Sequence, residues 1–376
     1  MRPVAFVTLL GLALSACDSA PLTPVDPFGP AGTWTQVANF GDGVVRSVVV
    51  DRESHDTSTL LIAAGRAGAF AVDVSAPGRP PRLLGFAVTG AAEPSHGVWT
   101  VVRAGGDLLV GTNVTITQRD GVRAGLFRST DEGRTWARSD AGIPGPQNPS
   151  SPTLALAVSP NDPAHVIGGY GSSFRSSDGG RTWSLLSDAR GYGGDELYTV
   201  AWGRYGEAWF VEGSREGNMP SVELAEGGAP ARVSMGGDFT FNYYGVAPGQ
   251  GPDGLYWYTT DRGVYRGGAS VSATVAEVRA ESVAPQIVGT LRGCTQIVAH
   301  PARLATAFVA CETDIMVIEG GASWLVQVPT SAPITTLVYD ESADALYVGV
   351  GAAVYRLGAP LLAPREPVVP RERPDR

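Results

Sequence analysis

Two stretches of this chain nearly copy each other: Gly125-Leu-Phe-Arg-Ser-Thr-Asp-Glu-Gly-Arg-Thr-Trp136 and Ser172-Ser-Phe-Arg-Ser-Ser-Asp-Gly-Gly-Arg-Thr-Trp183. Both contain Ser-x-Asp-x-Gly-x-Thr-Trp. The first has Ser129, Asp131, Gly133, Thr135 and Trp136; the second has Ser176, Asp178, Gly180, Thr182 and Trp183. The pattern reads as a tight turn between two strands. A carboxylate at Asp131 or Asp178 can accept backbone N–H groups further along, as an Asx turn does. Gly133 and Gly180 supply the positive φ such a turn requires. The tryptophan then begins the next strand and packs over the turn.

Working outward, tryptophan marks a repeat. Trp136 and Trp183 are 47 residues apart, and Trp324, in the degenerate copy Glu319-Gly-Gly-Ala-Ser-Trp324 that keeps glycine, a hydroxyl and tryptophan in register, lies 141 beyond Trp183, three such periods. Trp34 lies 102 residues before Trp136, two periods of about 51, and opens a similar strand. Between these marks each unit has one grammar: an apolar strand, a second ending near glycine, and a third often ending in aromatic-Arg. First strands are expected at 46–51, 99–104, 154–159, 198–203, 243–247, 295–300 and 335–340. Second strands are expected at 60–65, 108–112, 166–170, 208–212, 255–259, 307–311 and 346–349, with third strands including 127–129, 174–176, 264–267 and 354–357. Short apolar runs separated by turn residues, without helical period, make an all-β radial repeat.

The Ser-x-Asp-x-Gly-x-Thr-Trp segments resemble the Asp-box, or BNR repeat, of sialidases, sortilin-type receptors, xyloglucanases and a photosystem II assembly factor. The resemblance implies a β-propeller whose boxes link the third and fourth strands of a blade. It implies a structural role for the box residues, away from the ligand face. The expectation is a single seven-bladed propeller of four-stranded antiparallel blades over 32–357, closed by 33–37 joining the last unit at 354–357. That closure would leave no open sheet edge at the seam.

The termini read as an address and two extended segments. Met1-Arg2-Pro3 precedes an eleven-residue apolar run, Val4 to Leu14. A bilayer span needs about 20 residues, so this run fits a signal peptide. Leu14-Ser15-Ala16-Cys17 resembles a bacterial lipobox, which implies cleavage after residue 16 and lipidation of Cys17. Residues 17–31, with Pro21, Pro24, Pro27 and Pro30, read as a tether, and 358–376 as an extended, disordered Pro/Arg-rich tail. The implied address is the bacterial cell envelope, with the lipid as anchor.

Composition narrows the function classes. Hydrophobic residues are 43%, which excludes a disordered chain. Every basic residue is arginine, and the net charge of -9 argues against a nucleic-acid binder. Cys294 and Cys311 flank the turn at 300–304 symmetrically, so antiparallel pairing sets them opposite each other and a disulfide is expected in an exported chain. His55, His96, His165 and His300 lack partners at metal spacing; no metal or cofactor is expected, and His165 and His300 read as surface or turn residues.

A ligand would meet the face opposite the boxes. The first-strand openings there are Arg46, Trp99, Leu154, Tyr198, Tyr243, Thr295 and Thr335. Loops on that face bring Arg190, Tyr192, Asp195, Glu196, Glu212 and Arg215. Ligand candidates are therefore Arg46, Trp99, Tyr198, Tyr243 and these six loop residues, with a protein or glycan in the cell envelope as partner and a monomer as the default state. Three readings stay open: a non-catalytic binding or assembly scaffold, a sialidase-like glycoside hydrolase using carboxylates at the channel mouth, and a purely structural envelope component. No Arg-Ile-Pro motif of sialidases is present.

Overall fold

The computed structural model describes residues 34–53, 59–76, 78–87, 97–113, 125–143, 155–169, 173–187, 197–202, 208–212, 219–223, 231–234, 243–248, 255–260, 263–271, 276–282, 294–303, 305–319 and 322–358. The leader, the tether and all but Gly358 of the tail lie outside them. Among the described residues there is no helix.

Strand β1 (Trp34–Asn39) comes first. One sheet follows, made of β2 (Ser47–Val50), β3 (Thr59–Ala63), β4 (Ala69–Asp73) and β5 (Arg82–Gly85). The next holds β6 (Gly97–Ala104), β7 (Asp107–Asn113), β8 (Gly125–Ser129) and β9 (Ala137–Arg138). The third holds β10 (Ala155–Val158), β11 (Val166–Gly169), β12 (Ser173–Ser176) and β13 (Ser184–Ser187). Then come β14 (Leu197–Trp202), β15 (Ala208–Glu212), β16 (Met219–Glu223) and β17 (Ala231–Ser234), followed by β18 (Tyr243–Pro248), β19 (Leu255–Thr260), β20 (Gly263–Val271) and β21 (Ala276–Ser282). Another sheet holds β22 (Cys294–Ala299), β23 (Thr306–Cys311), β24 (Asp314–Glu319) and β25 (Ala322–Gln327). The last three strands are β26 (Ile334–Asp340), β27 (Ala345–Val350) and β28 (Ala353–Leu357), and β1 completes their sheet. Trp34 pairs with Leu357, Gln36 with Tyr355 and Asn39 with Ala353.

Each group is an antiparallel meander, because short apolar strands joined by tight turns pair with their sequence neighbours. The expectation of seven separate four-stranded sheets needs correction. Five stand separate, while β14–β17 and β18–β21 form one eight-stranded sheet. Its join is parallel, Val233 to Ala276 and Ser234 to Glu277. Two outer edges that would otherwise expose unpaired N–H and C=O groups satisfy each other there. Trp324 also departs from the expected box. Glu319 pairs with Ala322, and Trp324 pairs with Val317 inside β25.

First strands lie beside one another in chain order: β2 by β6, then β10, β14, β18, β22 and β26, which lies against β2. The core sits between sheets. Val48, Leu60 and Ile62 of one sheet pack on Tyr347 and Val354 of the last. Leu61 and Ala69 pack on Val98, Val101 and Val110 of the next. Thus alternate residues of a single strand, Leu60 and Leu61, serve opposite neighbours. Such two-sided burial explains runs with every residue buried, as in β23 and β27.

Candidate functional site

A four-stranded meander has two ends. Turns between first and second, and third and fourth, strands share one end. Turns between second and third strands, and the links to the next sheet, share the other. The Ser-x-Asp turns occupy the first, and the starts of the first strands occupy the second.

At that second end the ladder carries one irregularity again and again. In β6, Val98 pairs with Thr112 and Thr100 with Gly111, leaving Trp99 as an extra residue. Tyr198 is skipped in β14, Tyr244 in β18, Thr295 in β22 and Thr335 in β26. Arg46 holds the corresponding place beside β2: it precedes Ser47, which pairs with Ala63, and its N–H donates to the Ala63 carbonyl at 2.7 Å. A bulge of this kind bends the strand and re-aims a side chain, and bulges gather beside binding sites. The Arg46 guanidinium stacks 4.4 Å from the centre of the half-buried Trp99 ring, joining two sheets by a cation–π contact. Burial pulls the Arg46 pKa below its ordinary value.

The backbone around this pair is tightly held. Gly65 and Val98 exchange N–H···O bonds of 3.1 and 2.9 Å across the sheet boundary. Gly97 has φ +119°, and a Cβ there would stand 2.2 Å from the Gly65 oxygen, so only glycine fits. Further round, the Gln296 side-chain amide donates to the Thr335 carbonyl at 3.1 Å and accepts from Leu337 N–H at 3.0 Å. The Thr335 hydroxyl donates to the Gly349 carbonyl at 3.1 Å. Cys294 and Cys311 form a disulfide across a paired position immediately before the Thr295 bulge, as the hairpin symmetry anticipated.

At the opposite end, carboxylates are committed to turns. Asp131 accepts from the Thr135 hydroxyl at 2.6 Å, Thr135 N–H at 2.8 Å and the Ser129 hydroxyl at 2.8 Å. These bonds, the Thr135 hydroxyl foremost, hold its pKa down at about 2. Asp178 repeats the arrangement with Thr182, Arg181 and Ser176. Burial pushes the Asp178 pKa up, but the hydrogen bonds outweigh it and the value stays lowered. Ser129 and Ser176 accept from Gly133 and Gly180 N–H groups at 2.9 and 2.8 Å. Both glycines have positive φ.

The tryptophans reach beyond their own turns. Trp136 Nε1 donates to the Leu84 carbonyl of the preceding sheet at 3.0 Å, and Trp183 Nε1 to Ser139 at 2.8 Å. Trp34 Nε1 donates to Gln327 at 3.0 Å in the same way. Each indole fastens one sheet to its predecessor. Arg103 does likewise: its Nε meets both Asp51 oxygens at 3.0 and 2.9 Å, and its terminal nitrogens meet Glu132 at 2.6 and 2.9 Å. Burial opposes the Arg103 charge, yet these carboxylates raise its pKa above the ordinary value.

His300 is the turn residue that the sequence suggests, at the end of β22, but it is buried and not on the surface. Its Nδ1 accepts from Ala302 and Arg303 N–H at 3.0 and 3.1 Å, which leaves the proton on Nε2. Nε2 faces the Tyr339 hydroxyl at 3.1 Å, and that hydroxyl donates to Asp344. Burial lowers the His300 pKa, and burial together with Asp344 raises that of Tyr339.

Comparison with known proteins bears on the fold. No family model matches the chain, and no curated protein matches it. Solved structures do. YCF48 from Cyanidioschyzon merolae superposes with a TM-score of 0.60 at 15% identity, covering 86% of this chain and 98% of that one. YCF48 bound to D1 peptide gives 0.55 at 13%, covering 87% and 96%. The GH74 xyloglucanase from Xanthomonas campestris gives 0.60 at 15%, covering 89% of this chain and 55% of the enzyme. The fold is a β-propeller.

In the propeller, the expected binding residues fall into four groups. Arg46 and Trp99 are brought into contact. Tyr198 and Glu212 come to one end of one hairpin, since Glu212 pairs with Leu197 next to the bulge. Arg190, Tyr192, Asp195, Glu196 and Arg215 lie outside the described residues. Tyr243 differs from the other openings: it pairs with Thr260, and its neighbour Tyr244 holds the bulge. No group of three or more His, Cys, Asp or Glu among the described residues is placed to hold a metal ion. The inter-sheet fasteners escaped sequence reading, although a signal existed: Trp136 and Leu84, like Arg103 and Asp51, are 52 residues apart, about one repeat.

Proposed function

We propose that this chain is an exported, lipid-anchored β-propeller that binds a protein partner at the end where its first strands begin and performs no catalysis. The observation that carries the reading is the recurring bulge. It sets Arg46, Trp99, Tyr198 and Tyr244 at corresponding places, and tryptophan, tyrosine and arginine are the residue types that dominate binding energy at protein interfaces. The carboxylates of the opposite end, Asp131 and Asp178, are occupied by turn hydrogen bonds, which suits structural Asp-boxes rather than acid–base work. YCF48, a propeller of similar fold, has a structure bound to D1 peptide, so this architecture accommodates a peptide ligand.

The ring is read as seven-bladed and closed, with β14–β17 and β18–β21 as two blades merged at their outer strands. Its support is the circuit of first strands and the pairing of β1 with β28. The anchor is read as lipidated Cys17, holding the propeller to the cell envelope through the segment 17–31.

A second reading has one observation in its favour: Glu212 pairs with Leu197, the residue before Tyr198. Glycoside hydrolysis needs a pair of carboxyl groups about 5 to 9.5 Å apart.

The test is cross-linking of the full chain in bacterial membranes, beside a Cys17→Ser variant. The proposal expects the wild-type chain in the membrane fraction, with one partner protein joined through residues near 97–100, 197–199 or 243–248. The variant should appear in the soluble exported fraction. Membrane retention of the variant would overturn the anchor. Absence of any protein adduct, with release of sugar from a polysaccharide that stops on Glu212→Gln, would overturn the binding role.

A further inference from the structure

The seam between β19–β20 and the sheet β22–β25 mixes polar groups into an apolar core. Trp257 and Val264 pack there with Cys294, Ile297, Val309, Cys311 and Met316. Trp257 pairs with Arg266, and Thr259 with Val264, across the same two strands. Strand alternation therefore puts Trp257, Thr259, Val264 and Arg266 on one face, turned to the sheet that carries the disulfide. Trp257 is 1% exposed and Thr259 is fully buried. The fold does not demand the hydroxyl. Thr259 pairs with the residue after the Tyr244 bulge, and the corresponding steps of the other second strands are Ala63, Gly111, Gly169, Val211, Ala310 and Gly349.

Three donors on this face are left over. Trp257 Nε1, Thr259 Oγ1 and Arg266 Nε are buried, and none has a hydrogen-bond partner among the described residues. The Arg266 guanidinium lies 5.4 Å from the centre of the Trp257 ring, but a cation–π contact uses the ring face and leaves both N–H groups without an acceptor. Arg128 shows what Arg266 lacks. It holds the same place in β8, paired with Leu109, and Asp107, two residues before Leu109, neutralises it. The matching place before Trp257 is Leu255, so that carboxylate is replaced by an apolar side chain. Protein interiors pair their donors and compensate their charges. Trp Nε1 and Arg Nε only donate, so the missing partner has to accept from both and carry negative charge. Water would answer the donors and not the charge.

We infer that this seam binds a small inorganic anion of chloride or nitrate size, held by Trp257 Nε1, the Thr259 hydroxyl and Arg266 Nε. The ladder sets the spacing: paired residues have Cβ atoms about 5 Å apart and alternate residues of one strand about 7 Å, close enough for three side chains to reach one ion. The donors come from β19 and β20, and the facing wall from β22, β23 and β24 through Ile297, Val309, Cys311 and Met316. An occupied site joins the two sheets beside the Cys294–Cys311 bridge, and the anion stabilises the folded chain according to its concentration. The site is separate from the first-strand end and does not rest on the partner-binding reading.

The experiment melts the purified full chain, disulfide intact, in sodium chloride, bromide or nitrate and in sodium gluconate, whose anion is too large for the site, at equal ionic strength. The wild-type melting temperature should stand about 3–5 °C higher in the small anions, at roughly ten to a hundred times their dissociation constant. Thr259→Val keeps the shape and removes the hydroxyl, and Arg266→Gln removes the charge. Both should lose most of that difference, while Arg356→Gln, at the corresponding place of β28, should keep it. If the Thr259 hydroxyl is simply unpaired, Thr259→Val melts higher than wild type in every salt, which overturns the site. Equal melting of wild type in all the salts overturns it too. An equal loss of stability in Glu281→Gln and Arg266→Gln, with no dependence on the anion, would make Glu281, opposite Arg266 on β21, the counter-charge and overturn the proposal. Bromide anomalous scattering from crystals of wild type decides the matter should the variants fail to fold: a peak among Trp257, Thr259 and Arg266 is expected, and its absence refutes the assignment.

Discussion

Replacement of Trp183 tests whether its indole fastens one blade to the next. Trp183 is 6% exposed and packs among Leu126, Leu156, Val166 and Phe174. Its Nε1 donates to Ser139 at 2.8 Å and Gly180 at 3.2 Å. Trp183→Ala removes the apolar contacts and both hydrogen bonds, a loss of about 3–5 kcal/mol for a buried aromatic. Trp183→Phe keeps most of the apolar contact but takes the indole donor from the Ser139 carbonyl, while Gly180 keeps the Ser139 hydroxyl, a loss of about 1–2 kcal/mol. For a domain of this size each kcal/mol moves the melting temperature by about 2 °C. The alanine variant should therefore melt about 6–10 °C lower, and the phenylalanine variant about 2–4 °C lower. Calorimetry on the purified chain measures both. Equal losses in the two variants would refute a separate hydrogen-bond contribution, and an alanine variant melting within about 1 °C of wild type would refute the fastener altogether.

Other outcomes follow from the same contacts. Asp131 has its pKa lowered from 3.8 to about 2, so its contribution is present above pH 4 or so and is lost as pH falls towards 2; melts of Asp131→Asn should lack that part of the acid dependence. His300→Asn retains a side-chain acceptor for Ala302 and Arg303 N–H, whereas His300→Ala does not, so the alanine variant should be about 1–3 kcal/mol less stable in urea unfolding than wild type, and the asparagine variant less affected. Because burial lowers the His300 pKa, its contribution is full above the unfolded value near 6.5 and declines as pH drops below it, a trend that His300→Asn should remove. Deletion of 34–39 strips β28 of one of its two partners and Gln327 of the Trp34 bond, and should lower the melting temperature more than deletion of 359–376.

The sequence carried the strands better than the site. All seven expected first strands occur within about two residues of their expected limits, because each holds a short apolar run, such as Val48 to Val50, set between turn residues. Trp324 misleads because in the two full copies tryptophan stands just before the fourth strand, whereas Trp324 lies inside β25, paired with Val317. Tyr243 misled for a comparable reason: two tyrosines stand together, and only hydrogen-bond register separates the paired one from the bulged one. The joining of β17 to β21 involves two residue pairs, too short a match to leave a pattern. Fasteners such as Arg103–Asp51 are long-range pairs of unlike residues, visible in sequence only as a separation of one repeat.

The central claim is that the first-strand end binds the partner and the Ser-x-Asp end supports the fold. Hydrogen–deuterium exchange, with and without a saturating amount of the partner protein identified by cross-linking, tests it most directly. The account expects ligand-dependent protection at 45–47, 97–100, 197–199 and 243–246, and unchanged exchange at 130–136 and 177–183. Protection confined to those two turns, with the first-strand starts unchanged, would show the working face to be the opposite one.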